Sequence, residues 1–282
     1  MDIKKIAVVG AGTMGGGIAQ VAAECGHEVL LADITEEAAR IAIGDIRTRL
    51  EAMVSKGRIG EDKKDEALRN MRAVPDLKSC READLIIEAV AEREEVKEAV
   101  FNELDRICRK DVIFATNTSA ISITRLAAAG GRPARFIGMH FMNPAHKMKL
   151  LEIVRGLETS DETVAVITNL AAVMGKTPVV VRDYPGFVAS RLILHGINEA
   201  IQCLQEGVAS RDGIDTIMRL GARYPMGPLE LADFIGLDIC LATLDLLHRE
   251  LGEKYRPCML LRKMVEGGRL GRKSGEGFYE YP

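Results

Sequence analysis

The stretch from Lys4 to Asp33 restricts the fold more than any other part of the chain. Lys4–Val9 is an apolar run of strand length, and it leads into Gly10-Ala-Gly12-Thr13-Met14-Gly15. Two more glycines follow, then a helix-like segment from Ile18 to Cys25 that Gly26 stops. Glu28–Ala32 reads as a second strand, closed by Asp33. Each glycine has a reason. Gly10 permits a tight turn. Gly12 lets the backbone approach a pyrophosphate, which then lies on the open N–H groups of the helix start around Thr13 and Met14. Gly15 lets the helix pack closely on the strand. A carboxylate at Asp33 accepts hydrogen bonds from an adenine ribose and repels a 2′-phosphate, so NAD is favoured over NADP. This segment alone does not separate NAD from FAD. It predicts an α/β domain with a Rossmann-type, mostly parallel sheet.

A chain of 282 residues has room for a second domain. Thr177–Val181 reads as the last strand, and Asp183-Tyr-Pro185-Gly186 is a natural break. From Phe187 the apolar spacing turns helical, with Val188, Leu192, Ile193, Ile197, Ala200, Ile201 and Leu204 on one face. Further helices are expected at 210–220, 229–251 and 259–265. The boundaries are therefore a nucleotide-binding domain over 1–183 and an all-helical C-terminal domain over 184–282. The second is expected to close a substrate site and, being more apolar than a monomer needs, to form a homodimer.

Composition narrows the partners. A net charge of -3 provides no basic field for nucleic acid. No run of 18 apolar residues exists, so no membrane span is expected. Met-Asp-Ile-Lys-Lys enters a strand pattern directly, without the look of a signal peptide. Six scattered cysteines without a Cys-x-x-Cys pair suit reduced thiols in a cytoplasm, not a disulfide framework or a metal site.

The middle of the chain holds the chemistry. Glu36–Lys56 reads as a long helix whose far end carries Arg49 and Lys56, either a solvated face or a ledge for an anionic substrate tail. A charged helix over Glu61–Asn70 follows. Ala83–Val90 is a strand, and Glu92 and Lys97 fall near the strand-to-helix turn where such sheets place ligand contacts. Capping and surface pairing would explain them equally well. Val112–Thr116 is a strand with Asn117 and Ser119 at its C-terminal end, facing the ligand crevice; the alternative is a turn in which Ser119 or Ser122 caps the helix over Ser122–Ala129. Arg135–Met139 is a strand that delivers His140 at its end. Twelve residues later Glu152 sits inside Leu-Leu-Glu-Ile-Val, a strand able to pair back beside the first. A buried carboxylate needs a partner, and His140 is the nearest one. A histidine beside a carboxylate is a tuned proton acceptor.

Six segments together carry a resemblance over essentially the whole chain. They are Gly10–Gly17 with Ile18-Ala-Gln, Asn117-Thr-Ser119, His140-Phe-Met-Asn143-Pro, Pro185-Gly-Phe-Val, Met226-Gly-Pro and Gly271-Arg-Lys-Ser-Gly-Glu-Gly-Phe-Tyr. On these the chain resembles the short-chain (S)-3-hydroxyacyl-CoA dehydrogenases, above all the bacterial 3-hydroxybutyryl-CoA enzymes. The resemblance implies reversible, NAD-dependent oxidation of a 3-hydroxyacyl-CoA thioester in fatty acid metabolism. It implies NAD contacts from Asp33, Glu92, Lys97, Ser119 and Lys273, beside Gly10, Gly12, Thr13, Met14, Gly15 and Asn117. It implies coenzyme A contacts from Lys56 and from Arg49, where the family can have a serine, with Asn143 also at the substrate. His140 would be the catalytic base, Glu152 its orienting carboxylate, and Ser119 the holder of the 3-oxygen. Ser190 stands where Gly-Phe-Val-x-Asn-Arg has an asparagine that assists the site; a serine keeps one donor and acceptor but is shorter. Two other readings use the same fold: a dehydrogenase of a non-CoA hydroxy acid such as a sugar acid, and a non-catalytic NAD-binding protein.

Overall fold

The computed structural model describes residues 2–282. The chain divides into two compact units, one ending at Asp183 and one running Tyr184–Pro282.

The first unit is built on an eight-stranded sheet. Its strands are β1 Lys5–Val9, β2 Glu28–Ala32, β3 Met71–Val74, β4 Leu85–Glu88, β5 Ile113–Thr116, β6 Phe136–Phe141, β7 Leu150–Arg155 and β8 Thr177–Arg182. The order across the sheet is β3-β2-β1-β4-β5-β6-β7-β8. The first six strands run parallel, β7 turns back antiparallel to β6, and β8 is parallel to β7. Strands β4, β5 and β6 are buried along their whole length. Burial on both faces is why they read as continuous apolar runs and not as alternating ones. The helices are α1 Thr13–Glu24, α2 Glu36–Ser55, α3 Glu61–Arg69, α4 Glu94–Ile107, α5 Ile123–Ala129 and α6 Asp161–Val173. Ile6, Val8, Ile18, Ile46 and Leu50 lie at the centre of the core that joins strands to helices. Chain order reverses between β1 and β4, and an open α/β sheet binds its ligand outside the strand ends at that point.

Two expectations change here. A strand absent from the sequence reading, β3, follows α3 directly; Met71-Arg-Ala-Val is short and carries a charge, so neither length nor hydropathy marks it. His140 lies within β6, which runs one residue past it to Phe141.

The second unit is helical: α7 Ala189–Gln205, α8 Arg211–Gly221, α9 Pro228–Ile235, α10 Leu237–Leu251 and α11 Met259–Glu266. The single helix expected over 229–251 is two helices. Gly236, at φ 104, breaks it in a conformation that only glycine adopts easily. The apolar spacing continues across the break, so periodicity cannot see it. Leu194, Ile197, Ile201, Leu229, Leu237, Leu244 and Leu261 form the core of this unit. Two buried carboxylates staple it. Asp233 accepts from the N–H of Phe278 and Tyr279 and from the Tyr281 hydroxyl, and Asp215 accepts from the N–H of Leu229 and Glu230 and from the Tyr279 hydroxyl. The C-terminal motif through Tyr279 is thus tied down by hydrogen bonds to carboxylates. Burial and Asp233 push the Tyr281 hydroxyl up to about 12.

Among the described residues no helix is long and apolar enough to cross a membrane.

Candidate active site

The glycine turn after β1 is tight where it meets protein and open where a ligand would lie. A Cβ on Gly15 would stand 1.7 Å from the Gly10 carbonyl oxygen, so only glycine lets α1 sit this close to the turn. A Cβ on Gly12 would meet no protein atom within 4 Å. Packing therefore does not demand glycine at 12, whereas close approach by a ligand does. Gly12 is the N-cap of α1 and offers no side-chain cap, which leaves the first N–H groups of a twelve-residue helix to bind an anion. Asp33 accepts from the N–H of Ala11 and of Ile34, which fixes the carboxylate at the rim of a cavity of about 610 Å³. Gly10, Gly12, Thr13 and Met14 line the same cavity, opposite Ala89, Val90 and Ala91. A tight turn, an open helix start and a rim carboxylate fit the pyrophosphate and ribose of NAD.

A buried polar network forms the next part. Glu88, at the end of β4, is 0% exposed. Its carboxylate accepts from the Lys97 ammonium at 2.6 Å, the Thr116 hydroxyl at 2.6 Å and the Val90 N–H at 2.7 Å. Burial pushes the Glu88 carboxyl up, and Lys97 and the other two donors pull it back. Lys97 reaches onward to Glu92 at 3.2 Å, and Glu92 accepts from the Thr118 hydroxyl and from the Ser119 N–H at 2.9 Å. Lys97 was expected either as a direct NAD contact or in a surface pair. It is 1% exposed and its ammonium lies on two carboxylates, Glu88 and Glu92, so it is not in a surface pair. Ser122, not Ser119, caps α5, which leaves the half-buried Ser119 hydroxyl outside that cap. Asn117 accepts from the Phe141 N–H at 2.9 Å, so the end of β5 is pinned beside His140.

His140 and Glu152 are opposite residues of the antiparallel β6–β7 pair, the closest cross-strand relation a sheet offers. The imidazole Nδ1 lies 2.7 Å from the Glu152 carboxylate, and the two residues are 5% and 2% exposed. A carboxylate on Nδ1 selects the tautomer with its proton there, which puts the basic lone pair on Nε2. The pair is a proton acceptor held in one orientation, with the imidazolium it forms stabilised by charge.

The loop after β6 carries exposed Asn143 and then His146. Lys176 donates to the carbonyls of Ala145 and Met148 and holds that loop. Arg49, on α2, donates to buried Gln20 at 2.9 Å. Arg49, Asp45, His146, Pro144, Gly12 and Thr13 surround a smaller cavity of about 240 Å³. Burial, then the charges of Arg49, Lys147 and Lys176, hold the His146 imidazole below its usual range. Lys56 is exposed at the C-cap of α2, two turns from Arg49 and about 10 Å along the axis. In the second unit, Ser190 stands in the first turn of α7, and the Lys273 ammonium pairs with Asp238 at 2.5 Å.

The first unit thus brings together Gly10, Gly12, Thr13, Met14 and Asp33 around one cavity, and His140 with Glu152. Four residues of these networks were not singled out from the sequence: Glu88, Thr116, Gln20 and His146. Glu88 had a readable signal, a carboxylate ending the apolar run Leu-Ile-Ile, the same kind that marked Glu152.

Comparison with known proteins identifies the family. Residues 5–184 match the family description "3-hydroxyacyl-CoA dehydrogenase, NAD binding domain", and residues 186–281 match "3-hydroxyacyl-CoA dehydrogenase, C-terminal domain". The chain is 51% identical over 278 residues to a Deinococcus radiodurans protein named "Probable 3-hydroxybutyryl-CoA dehydrogenase", covering 98% of this chain and 100% of that one. It is 49% identical to the 3-hydroxybutyryl-CoA dehydrogenase of Bradyrhizobium diazoefficiens over 280 residues, 99% of this chain and 96% of the other. Among solved structures, the (S)-3-hydroxybutyryl-CoA dehydrogenase of Ralstonia eutropha superposes with a TM-score of 0.96 at 44% identity, covering all of both chains.

Proposed function

Because the chain belongs to the 3-hydroxyacyl-CoA dehydrogenase family, we propose that it oxidises a short-chain (S)-3-hydroxyacyl-CoA, 3-hydroxybutyryl-CoA foremost, to the 3-oxoacyl thioester, reversibly and with NAD. The observation that carries this reading is the buried His140–Glu152 pair, 2.7 Å apart in a NAD-binding unit. NAD supplies the hydride acceptor when bound. Gly10, Gly12, Thr13, Met14, Gly15 and Asp33 hold it, with Glu92 and Asn117 beside them. Ser119 donates to the substrate's 3-oxygen. His140 takes the hydroxyl proton at Nε2 during oxidation and returns it during reduction, while Glu152 fixes the tautomer and stabilises the imidazolium. For Asn143 and Ser190 the proposal is help in placing the substrate, and for Lys273 a contact to NAD. The six free cysteines fit a reducing cytoplasm.

The Arg49 guanidinium at the cavity beside His146, with Lys56 farther along α2, favours a phosphate-bearing thioester over a small free acid. Losing a charge-assisted hydrogen bond costs ~1.5–3 kcal/mol, so Arg49→Gln with Lys56→Gln should raise KM for acetoacetyl-CoA by about tenfold or more. Turnover at saturation should stay near wild type, since these contacts act equally on ground and transition states. An unchanged KM would remove coenzyme A from this face.

For assembly the proposal is a homodimer through the helical unit. Leu192, Ile193, Val208 and Ile217 stand exposed, the last two at 69% and 63%, around an apolar cavity of about 520 Å³ lined mainly from α7, α8 and α9. Contiguous apolar surface of this kind marks an interface. Light scattering at micromolar concentration should give twice the chain mass, and Ile217→Asp should halve it. A wild-type chain that scatters as a monomer contradicts the dimer.

A further inference from the structure

We propose that Glu88 is a positioning residue for the cofactor side of this site, acting through its buried ion pair with Lys97 to hold the Glu92 carboxylate and, through it, the Ser119 backbone. The inference rests on the functional reading above and deepens it. The path is continuous. Glu88 gathers four pieces of chain: its own strand β4, the Thr116 hydroxyl from β5, the Val90 N–H from the following loop, and the Lys97 ammonium from α4. Each donor is within 2.7 Å of the carboxylate, which leaves Lys97 little freedom. Lys97 therefore presents its ammonium to one oxygen of Glu92 at 3.2 Å. The other Glu92 oxygen accepts from the Thr118 hydroxyl and the Ser119 N–H. Thr118 in turn receives the N–H of Ala120 and Ile121. The Glu92 side chain is 45% exposed, whereas the Lys97 side chain is 1% exposed. An enclosed ammonium at the back of an exposed carboxylate fixes where that carboxylate stands.

The charge balance explains why Glu88 is needed. One buried ammonium faces two carboxylates, one buried and one open to solvent. With Glu88 ionised, Lys97 is neutralised from behind and shares its remaining pull with Glu92. With Glu88 made neutral, Glu92 becomes the sole counter-charge of a buried ammonium. It is then drawn inward, away from the Ser119 N–H.

The test compares Glu88→Gln, Lys97→Met, the double variant of both, and Thr116→Val, all as full-length protein. NADH dissociation constants come from fluorescence titration, stability from the thermal midpoint, and turnover from steady-state kinetics with acetoacetyl-CoA. Glu88→Gln should weaken NADH about tenfold and lower the midpoint. In the double variant the buried pair becomes neutral, so the midpoint should recover toward wild type. NADH affinity should stay about tenfold weak, because Glu92 still lacks its ammonium. Thr116→Val, which keeps both charges, should weaken NADH by a smaller factor, and it reports on the path even if Glu88→Gln does not fold. Recovery of both midpoint and NADH affinity in the double variant would overturn the proposal and make the pair a purely structural one. NADH binding is read without substrate, so a wild type that ignores acetoacetyl-CoA would defeat the functional reading and leave this result standing on its own.

Discussion

Replacing His140 with glutamine should lower turnover with acetoacetyl-CoA and NADH by about 10²–10⁴-fold, the usual share of a general acid–base group, while NADH binds as in wild type. Glutamine approximates the size of the imidazole but cannot exchange a proton near neutral pH. The cofactor-holding residues around Gly12 and Asp33 lie in a cavity that His140 does not line, which is why affinity for NADH should persist. Glu152→Gln should fall in the same range for a different reason. The amide keeps a hydrogen-bonding group near Nδ1 but removes the charge that stabilises the imidazolium. It can also donate to Nδ1, which would move the proton to Nε2 and take away the basic lone pair. Steady-state rates beside NADH fluorescence titrations check both variants. Near-normal turnover in His140→Gln would remove the dyad from the mechanism.

The second large effect is at the glycine turn. In Gly15→Ala the new methyl would stand 1.7 Å from the Gly10 carbonyl oxygen, so backbone must move and not merely a side chain. Overpacking costs ~1–3 kcal/mol, and a backbone clash belongs at the upper end of that range. Stability should fall by about that much, read as a lower thermal midpoint, and NADH binding should weaken as well because the turn at Gly10 is displaced. Gly12→Ala is the informative partner. Its methyl meets no protein atom within 4 Å, so the midpoint should hold while NADH affinity falls. If Gly12→Ala bound NADH as wild type does, the open face at Gly12 would not be where the cofactor approaches.

Much of the first unit was legible because local chemistry and global topology agree there. The turn after β1 needs glycines for steric reasons, and those reasons survive in the structure as short distances at Gly15 and free space at Gly12. His140 and Glu152 were legible as polar residues stranded in apolar runs. Their pairing was an inference from cost, and the register that sets them opposite one another made it geometry. What escaped notice did so for physical causes. β3 is too short and too charged to carry a pattern. The break at Gly236 interrupts the backbone without interrupting the apolar spacing. Glu88 and Lys97 are nine positions apart, and only the close approach of β4, β5 and α4 makes them a buried pair. Lys97 shows the limit most clearly. Its place in the chain marked it as part of the site, but its direction, inward and onto Glu88, depends on packing.

The most direct measurement of the central claim is NADH oxidation by the wild-type chain with acetoacetyl-CoA set beside free acetoacetate. A proton-transfer dyad serving a coenzyme A thioester predicts ready turnover of acetoacetyl-CoA and kcat/KM at least about a hundredfold lower for acetoacetate, corresponding to ~3 kcal/mol of lost contacts. Equal rates on the two would contradict the thioester assignment, and no NADH oxidation with either would contradict the dehydrogenase account itself.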